Sequence, residues 1–187
     1  MPTISSLRLT TRSFLAAEEP GLLVLQATEA DPGARMRAEV LSGLASTPPT
    51  ISPTYLYDAE GSALYERITA LPEYYPTRTE DALLSRLAPT LAERAPATRL
   101  LELGSGSSTK TRRLIEAYLA RRGALTYIPV DVSEGMLARS ARDLTAAYPD
   151  LSVLGLAGRF EDAFAALEPQ ADTLAIFLGG TLGNFPP

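Results

Sequence analysis

Hydrophobic and polar positions change their rhythm once along this chain, near Thr98. Downstream, short apolar runs alternate with helical patterns. "TRLLELGSG" predicts a strand and "KTRRLIEAYLARR" a helix; "LTYIPVDVS" a strand and "EGMLARSARDLTAAY" a helix; "LSVLGLAGRF" a strand, "EDAFAALEP" a helix and "DTLAIFLGGTLGN" a strand. Near-continuous apolar strands separated by helices predict an α/β fold with about four parallel strands covered on both faces. Ligands in such sheets bind beyond the carboxyl ends of the strands. Upstream, residues 33–97 predict a helical region. Met36, Val40, Leu41 and Leu44 suit a helix over Gly33–Ser46, and the prolines of "TPPTISP" end it. Leu64, Ile68 and Leu71 predict a second helix, closed by Pro72. Thr77 and Glu80 have the spacing of a capping box for a third, with Leu83, Leu84, Leu87 and Leu91 as its apolar stripe and Pro89 as a kink or break. Residues 1–32, with one apolar run in "GLLVLQA", read as an irregular arm.

Composition narrows the chemistry. The 187 residues contain no cysteine and no histidine, so thiolate nucleophiles, zinc–thiolate sites and histidine general bases are all excluded. Carboxylates, tyrosines, lysine, amides or a bound cofactor remain, and no metal site is expected. A net charge of −5 gives no long-range attraction for nucleic acid. No apolar run is long enough to span a membrane, and charges at Arg8, Arg12, Glu18 and Glu19 do not suit a secretory signal. The cytoplasm is the expected compartment.

The candidate site is "LLELGSGSSTK", Leu100–Lys110. A dinucleotide fingerprint requires a third glycine where Thr109 stands. The Walker pattern also fails at Thr109, although Lys110 and Thr111 would serve as its lysine and hydroxyl. A third reading is the Glu-x-Gly-x-Gly loop of S-adenosylmethionine sites. Small residues there admit the cofactor's methionine end, a helix N-terminus near Ser108 and the charge of Lys110 attract its carboxylate, and an acid ending the next strand, Asp131 in "IPVDVS", accepts its ribose. An ordinary glycine-rich strand-to-helix turn is the fourth reading. Glu102, the loop and Asp131, in that order, favour the third.

Longer motifs point the same way. "YDAEGSALYERITALPEYYPTRTE", "LELGSGSSTKTRRLIEA", "IPVDVSEGML" and "FLGGTLGNFPP" resemble the histidine Nα-methyltransferases of ergothioneine biosynthesis, from about Thr47 onward. The resemblance implies a Rossmann-like methyltransferase fold, S-adenosylmethionine as cofactor, and methyl transfer to the α-amine of an amino acid, L-histidine above others. By the family pattern Gly104, Ser105, Gly106 and Lys110 would bind the cofactor's methionine end and Asp131 its ribose, while Arg159 and Phe160 occupy the adenine-side positions. Tyr74, Gly179 and Asn184 would hold the substrate, and Tyr57 would face the reacting amine as the catalytic residue. Tyrosine hydroxyls and an asparagine amide orient a small zwitterion without adding net charge.

Two departures stand out. The family's Gly-Asp-Phe after the third strand is Gly158-Arg159-Phe160 here, which places arginine where an acid would meet the adenine amino group. The resemblance also implies a seven-stranded sheet and a substrate-covering second half that this sequence does not carry. The expectations are therefore an exposed apolar edge at "LAIFLGG", a partner chain or further segment that completes the sheet, and weak cofactor binding with little turnover by this chain alone. A fragment, a split enzyme and a non-catalytic remnant all fit that pattern.

Overall fold

A computed structural model describes residues 22–27, 31–168 and 170–184, with the backbone alone of residues 14–19. The elements run β1 (Phe14–Glu19), β2 (Leu22–Ala27), α1 (Pro32–Leu44), α2 (Ala59–Thr69), α3 (Tyr75–Arg94), β3 (Arg99–Leu103), α4 (Arg112–Arg122), β4 (Leu125–Asp131), α5 (Glu134–Ala147), β5 (Leu151–Ala157), α6 (Phe160–Ala166) and β6 (Thr173–Ile176). Short 3-10 turns occupy Pro53–Leu56 and Thr181–Asn184. The alternating half after Thr98 folds as its pattern predicts.

The sheet order is β1-β2-β5-β4-β3-β6. Five strands are mutually parallel and β1 is antiparallel to β2. This corrects two expectations. The "arm" contains a hairpin, and its apolar run "LLVLQA" is a fifth parallel strand paired with β5 from Leu22↔Val153 to Gln26↔Ala157. Leu22–Leu25 are all buried, because β5 is buried along its whole length and needs a neighbour on that side. Alternate residues of the sheet feed two cores. On one face Leu100, Tyr127 and Val153 meet α3, α4 and α5; on the other Leu101, Ile128 and Leu154 meet α6.

The helical region differs from its predicted pattern. α3 starts at Tyr75, two residues before Thr77, so the capping box is not formed, and it runs unbroken through Pro89. Its buried stripe is Leu84–Ala88–Ala92 at i, i+4 and i+8, and the two alanines let α3 lie close along α4. Leu83, Leu87 and Leu91 are exposed, as are Leu64 and Ile68 on α2, Leu71 just after it, and Met36, Leu41 and Leu44 on α1. α1 has no buried residue at all. β6 is a partly exposed edge strand, as expected, but spans only four residues before the chain turns.

Strand order reverses beside β3: the chain moves from β3 to β4 and β5 on one side, then returns to place β6 on the other. A crevice opens at such a reversal, beyond the carboxyl ends of β3 and β6. If β2 is integral to the sheet, Leu25→Ala should lower stability by about 2–4 kcal/mol in urea unfolding, the cost of a buried leucine truncation. A dispensable arm would leave the midpoint unchanged.

Candidate cofactor and substrate site

A cavity of about 1600 Å3 occupies that crevice. Its floor is the β3–α4 loop. Gly104 turns there with φ +72°, where a side chain would be strained and its Cβ would lie 3.4 Å from the Thr181 hydroxyl and 3.8 Å from the Phe160 ring. Gly106 also has positive φ, +51°, and a Cβ there would meet nothing within 4 Å, so the loop presents bare backbone to open space. α4 begins only at Arg112, so the helix N-terminus expected near Ser108 sits one turn further on.

The loop is tied down from beneath. Glu102 of β3 is fully buried, and its Oε2 accepts the Thr111 hydroxyl at 2.7 Å and the Tyr127 phenol; the same phenol meets the Ser108 hydroxyl at 2.9 Å. Burial pushes the Glu102 carboxyl up to about 7, against the pull of the Tyr127 and Thr111 hydrogen bonds. Burial likewise raises Tyr127, aided by the neighbouring Glu102.

Asp131 ends β4 beside the loop. Its Oδ2 accepts the Gly106 N–H at 2.8 Å and its Oδ1 accepts the Ser133 N–H at 2.9 Å. Burial raises its carboxyl, and these backbone donors oppose the shift. Each carboxylate oxygen keeps a further lone-pair direction for a ligand hydroxyl. Ser133 occupies the first cap position of α5 but makes no side-chain cap bond.

Polar helical stripes form the opposite wall. Ser62, Tyr65, Glu66 and Thr69 of α2, then Tyr74, Thr77, Arg78 and Asp81 at α3, repeat the i, i+3, i+4, i+7 spacing and line the cavity. The Tyr57 ring meets Tyr65 edge-on at 6.0 Å, and Tyr65 meets Tyr74 at 6.3 Å with the two hydroxyls 3.4 Å apart. Burial and the Tyr74 hydroxyl raise the Tyr65 phenol. Gly179 and Asn184, after β6, complete this end.

The structure thus brings Tyr57, Tyr74, Gly104, Ser105, Gly106, Lys110, Asp131, Phe160, Gly179 and Asn184 to one cavity. Arg159 is the exception. Its guanidinium holds Glu39 of α1, both nitrogens at 3.0 Å; Glu39 lines the cavity and Arg159 itself does not. A second difference concerns Lys110, which is ion-paired with Glu80 of α3; the other Glu80 oxygen accepts the Gly179 N–H at 2.7 Å. Sequence reasoning gave Glu80 a capping role and passed over Tyr65. The polar stripes of α2 and α3 were the available signal, since a cavity-facing helix shows its polar side to the site.

The residues fit a polar ligand that lies against backbone. Among the described residues the Ser105 Oγ is a buried side-chain oxygen without a hydrogen-bond partner, and it lies on the cavity floor between the two loop glycines.

Comparison with known proteins gives the family. The family described as "Histidine-specific methyltransferase, SAM-dependent" matches residues 36–187. The chain belongs to this family. S-Adenosylmethionine is therefore the cofactor, in place of a dinucleotide or a nucleoside triphosphate. Similar proteins include the histidine N-alpha-methyltransferase of Mycolicibacterium smegmatis, 39% identical over 152 residues, which cover 81% of this chain and 47% of that protein. The 4-dimethylallyltryptophan N-methyltransferase easF of Claviceps purpurea is 30% identical over 154 residues, 79% of this chain and 45% of that one. The ergothioneine biosynthesis protein 1 of Schizosaccharomyces pombe is 30% identical over 143 residues, 71% of this chain and 18% of its own length. The chain spans about half the length of the histidine methyltransferases it matches.

A pH test follows from Glu102. Its native value lies above the ordinary 4.5, so the protonated form stabilises the fold. That contribution is complete below about pH 4.5 and is lost as pH rises through about 7. Thermal melts of Glu102→Gln should show a flatter pH dependence than the unmodified chain across this window, by an amount on the order of 3 kcal/mol. Parallel profiles would show that Glu102 titrates normally.

Proposed function

We propose that this chain carries the cofactor-binding half, and part of the substrate wall, of an S-adenosylmethionine-dependent N-methyltransferase that acts on the α-amine of L-histidine, in an ergothioneine-type pathway. The observation that carries the reading is the pairing of the Gly104–Gly106 loop with Asp131 at the sheet's reversal point. The names of the two mycobacterial relatives support histidine as substrate, and that of the Schizosaccharomyces pombe relative supports the pathway.

In this reading Gly104, Ser105 and Gly106 offer backbone and the orphaned Ser105 hydroxyl to the cofactor's methionine end. Lys110 supplies positive charge for its carboxylate, Asp131 accepts from the ribose, and Phe160, edge-on to Phe177 at 5.5 Å, forms the wall for the adenine. When bound, the cofactor supplies an electrophilic methyl group on a sulfonium. The chain's own work is to hold an unprotonated amine in line with it. Tyr57, Tyr74, the Gly179 backbone and Asn184 orient the amino acid, with the Tyr57 phenol next to the amine. Fixed orientation of this kind removes the need for a strong general base once the amine has lost its proton.

Among the described residues no helix is long and apolar enough to cross a membrane. A cytoplasmic site of action suits the proposed small-molecule chemistry. The free edge of β6 supports pairing with a further strand, from the rest of a longer protein or from a partner chain.

Calorimetric titration with S-adenosylhomocysteine, S-adenosylmethionine and magnesium-ATP tests the cofactor assignment. Saturable binding of the two adenosyl ligands alone is expected, and Asp131→Asn should weaken it roughly ten- to a hundredfold, the cost of hydrogen bonds to a charged acceptor. Binding of ATP alone would overturn the assignment.

A further inference from the structure

Arg159 stands at a junction that the cofactor and substrate assignments leave unused. Its backbone lies in the turn between β5 and α6. The preceding Gly158 N–H donates to the Asp131 carbonyl at 2.9 Å, and the Arg159 N–H donates to the Asp162 carboxylate at 3.0 Å as α6 begins. The next residue, Phe160, lines the cavity. The Arg159 side chain does not line it, but its two terminal nitrogens lie 3.0 Å from the two oxygens of Glu39, which does.

Tyr55 closes the cluster. Its hydroxyl donates to Glu39 Oε2 at 2.6 Å and accepts from an Arg159 nitrogen at 2.9 Å, and the guanidinium lies 5.6 Å from the centre of its ring. Glu39 also accepts from Arg35 Nε at 3.1 Å on its own helix. Three segments far apart in sequence meet here: α1, the turn Pro53–Leu56 and the start of α6.

The surroundings give this contact unusual weight. α1 and the Pro53–Leu56 turn contain no buried residue, and Met36, Leu41, Leu44 and Leu56 are exposed. Apolar burial therefore does little to place these segments on the sheet. An isolated pair on such a surface contributes little, but a bidentate arginine–carboxylate pair with a phenol bonded to both members fixes geometry in a way that a single bridge does not. Tyr57 follows Tyr55 by two residues, and its ring faces the cavity.

We propose that Arg159 is a positioning residue: through Glu39 and Tyr55 it fixes the segment that carries Tyr57 relative to Phe160, and so sets the substrate end of the cavity against the cofactor end. This rests on the assignment of Tyr57 and Phe160 made under the proposed function. Arg159 then touches neither ligand, and its replacement changes how the amino acid is held rather than how the cofactor binds.

Hydrogen–deuterium exchange of Thr54–Asp58, with calorimetry of S-adenosylhomocysteine and of L-histidine added to that complex, tests the idea. In Arg159→Ala the exchange of Thr54–Asp58 should rise at least tenfold while β3, β4 and β5 are unchanged. Histidine affinity should fall about tenfold or more, and S-adenosylhomocysteine affinity should stay within about threefold. The charge-swapped double variant Glu39→Arg with Arg159→Glu should recover most of the protection and of the histidine affinity. Unchanged exchange in Thr54–Asp58 overturns the proposal. So does a tenfold loss of S-adenosylhomocysteine affinity without local loosening, which would make Arg159 a ligand contact, and so does loosening that leaves histidine affinity intact. If Arg159→Ala fails to fold, Tyr55→Phe removes the phenol alone, and the same exchange criterion decides. Failure of the unmodified chain to bind either ligand counts against the proposed function instead, and the exchange comparison then decides the role of Arg159 by itself.

Discussion

A buried carboxyl group organises this structure. Glu102 lies beneath the glycine loop, and its one oxygen engages Thr111, after the loop, and Tyr127 on the neighbouring strand, which in turn holds Ser108 in mid-loop. A buried polar group without such partners would be costly. The network therefore admits one arrangement of loop and strands at low cost, and in it Gly104 and Gly106 turn bare backbone toward the cavity. Asp131 adds the upper tie, bonding Gly106 while it ends β4.

The opposite wall is built on other principles. α1, α2 and α3 turn polar residues to the cavity and leave most of their large apolar residues exposed; α3 is anchored on α4 by Leu84, Ala88 and Ala92, whereas α1, with no buried residue, is placed by direct polar contacts. Glu80 joins α3 to both Lys110 and Gly179, which lie on opposite sides of the reversal point. The site is a rigid floor under a cover held by charge and hydrogen bonding, a division that suits a cavity which must admit and release small molecules.

The half after Thr98 was legible in the sequence because strand and helix periods alternate there without conflict, and because Gly104, Gly106 and Asp131 keep the spacing that the chemistry demands. The N-terminal half was less so. "LLVLQA" is a strand because β5 needs a parallel neighbour, a long-range requirement that no local pattern reports. The leucines of α2 and α3 look like core stripes, yet the buried line of α3 is Leu84–Ala88–Ala92, since close helix packing favours small residues. Arg159 read as a damaged cofactor contact. Only the fold shows its partner, Glu39, 120 residues away in the chain.

The pairing of β2 with β5 also has a consequence in time. As the chain leaves the ribosome, Leu22–Leu25 emerge early, but the strand that buries them is not complete until Ala157 has been made. At roughly 5–20 residues per second, this apolar segment waits on the order of ten seconds without its partner. Closing a loop of that length is also slow relative to local helix formation. The hairpin with β1, made from adjacent residues, gives the segment a temporary partner along one edge during that wait.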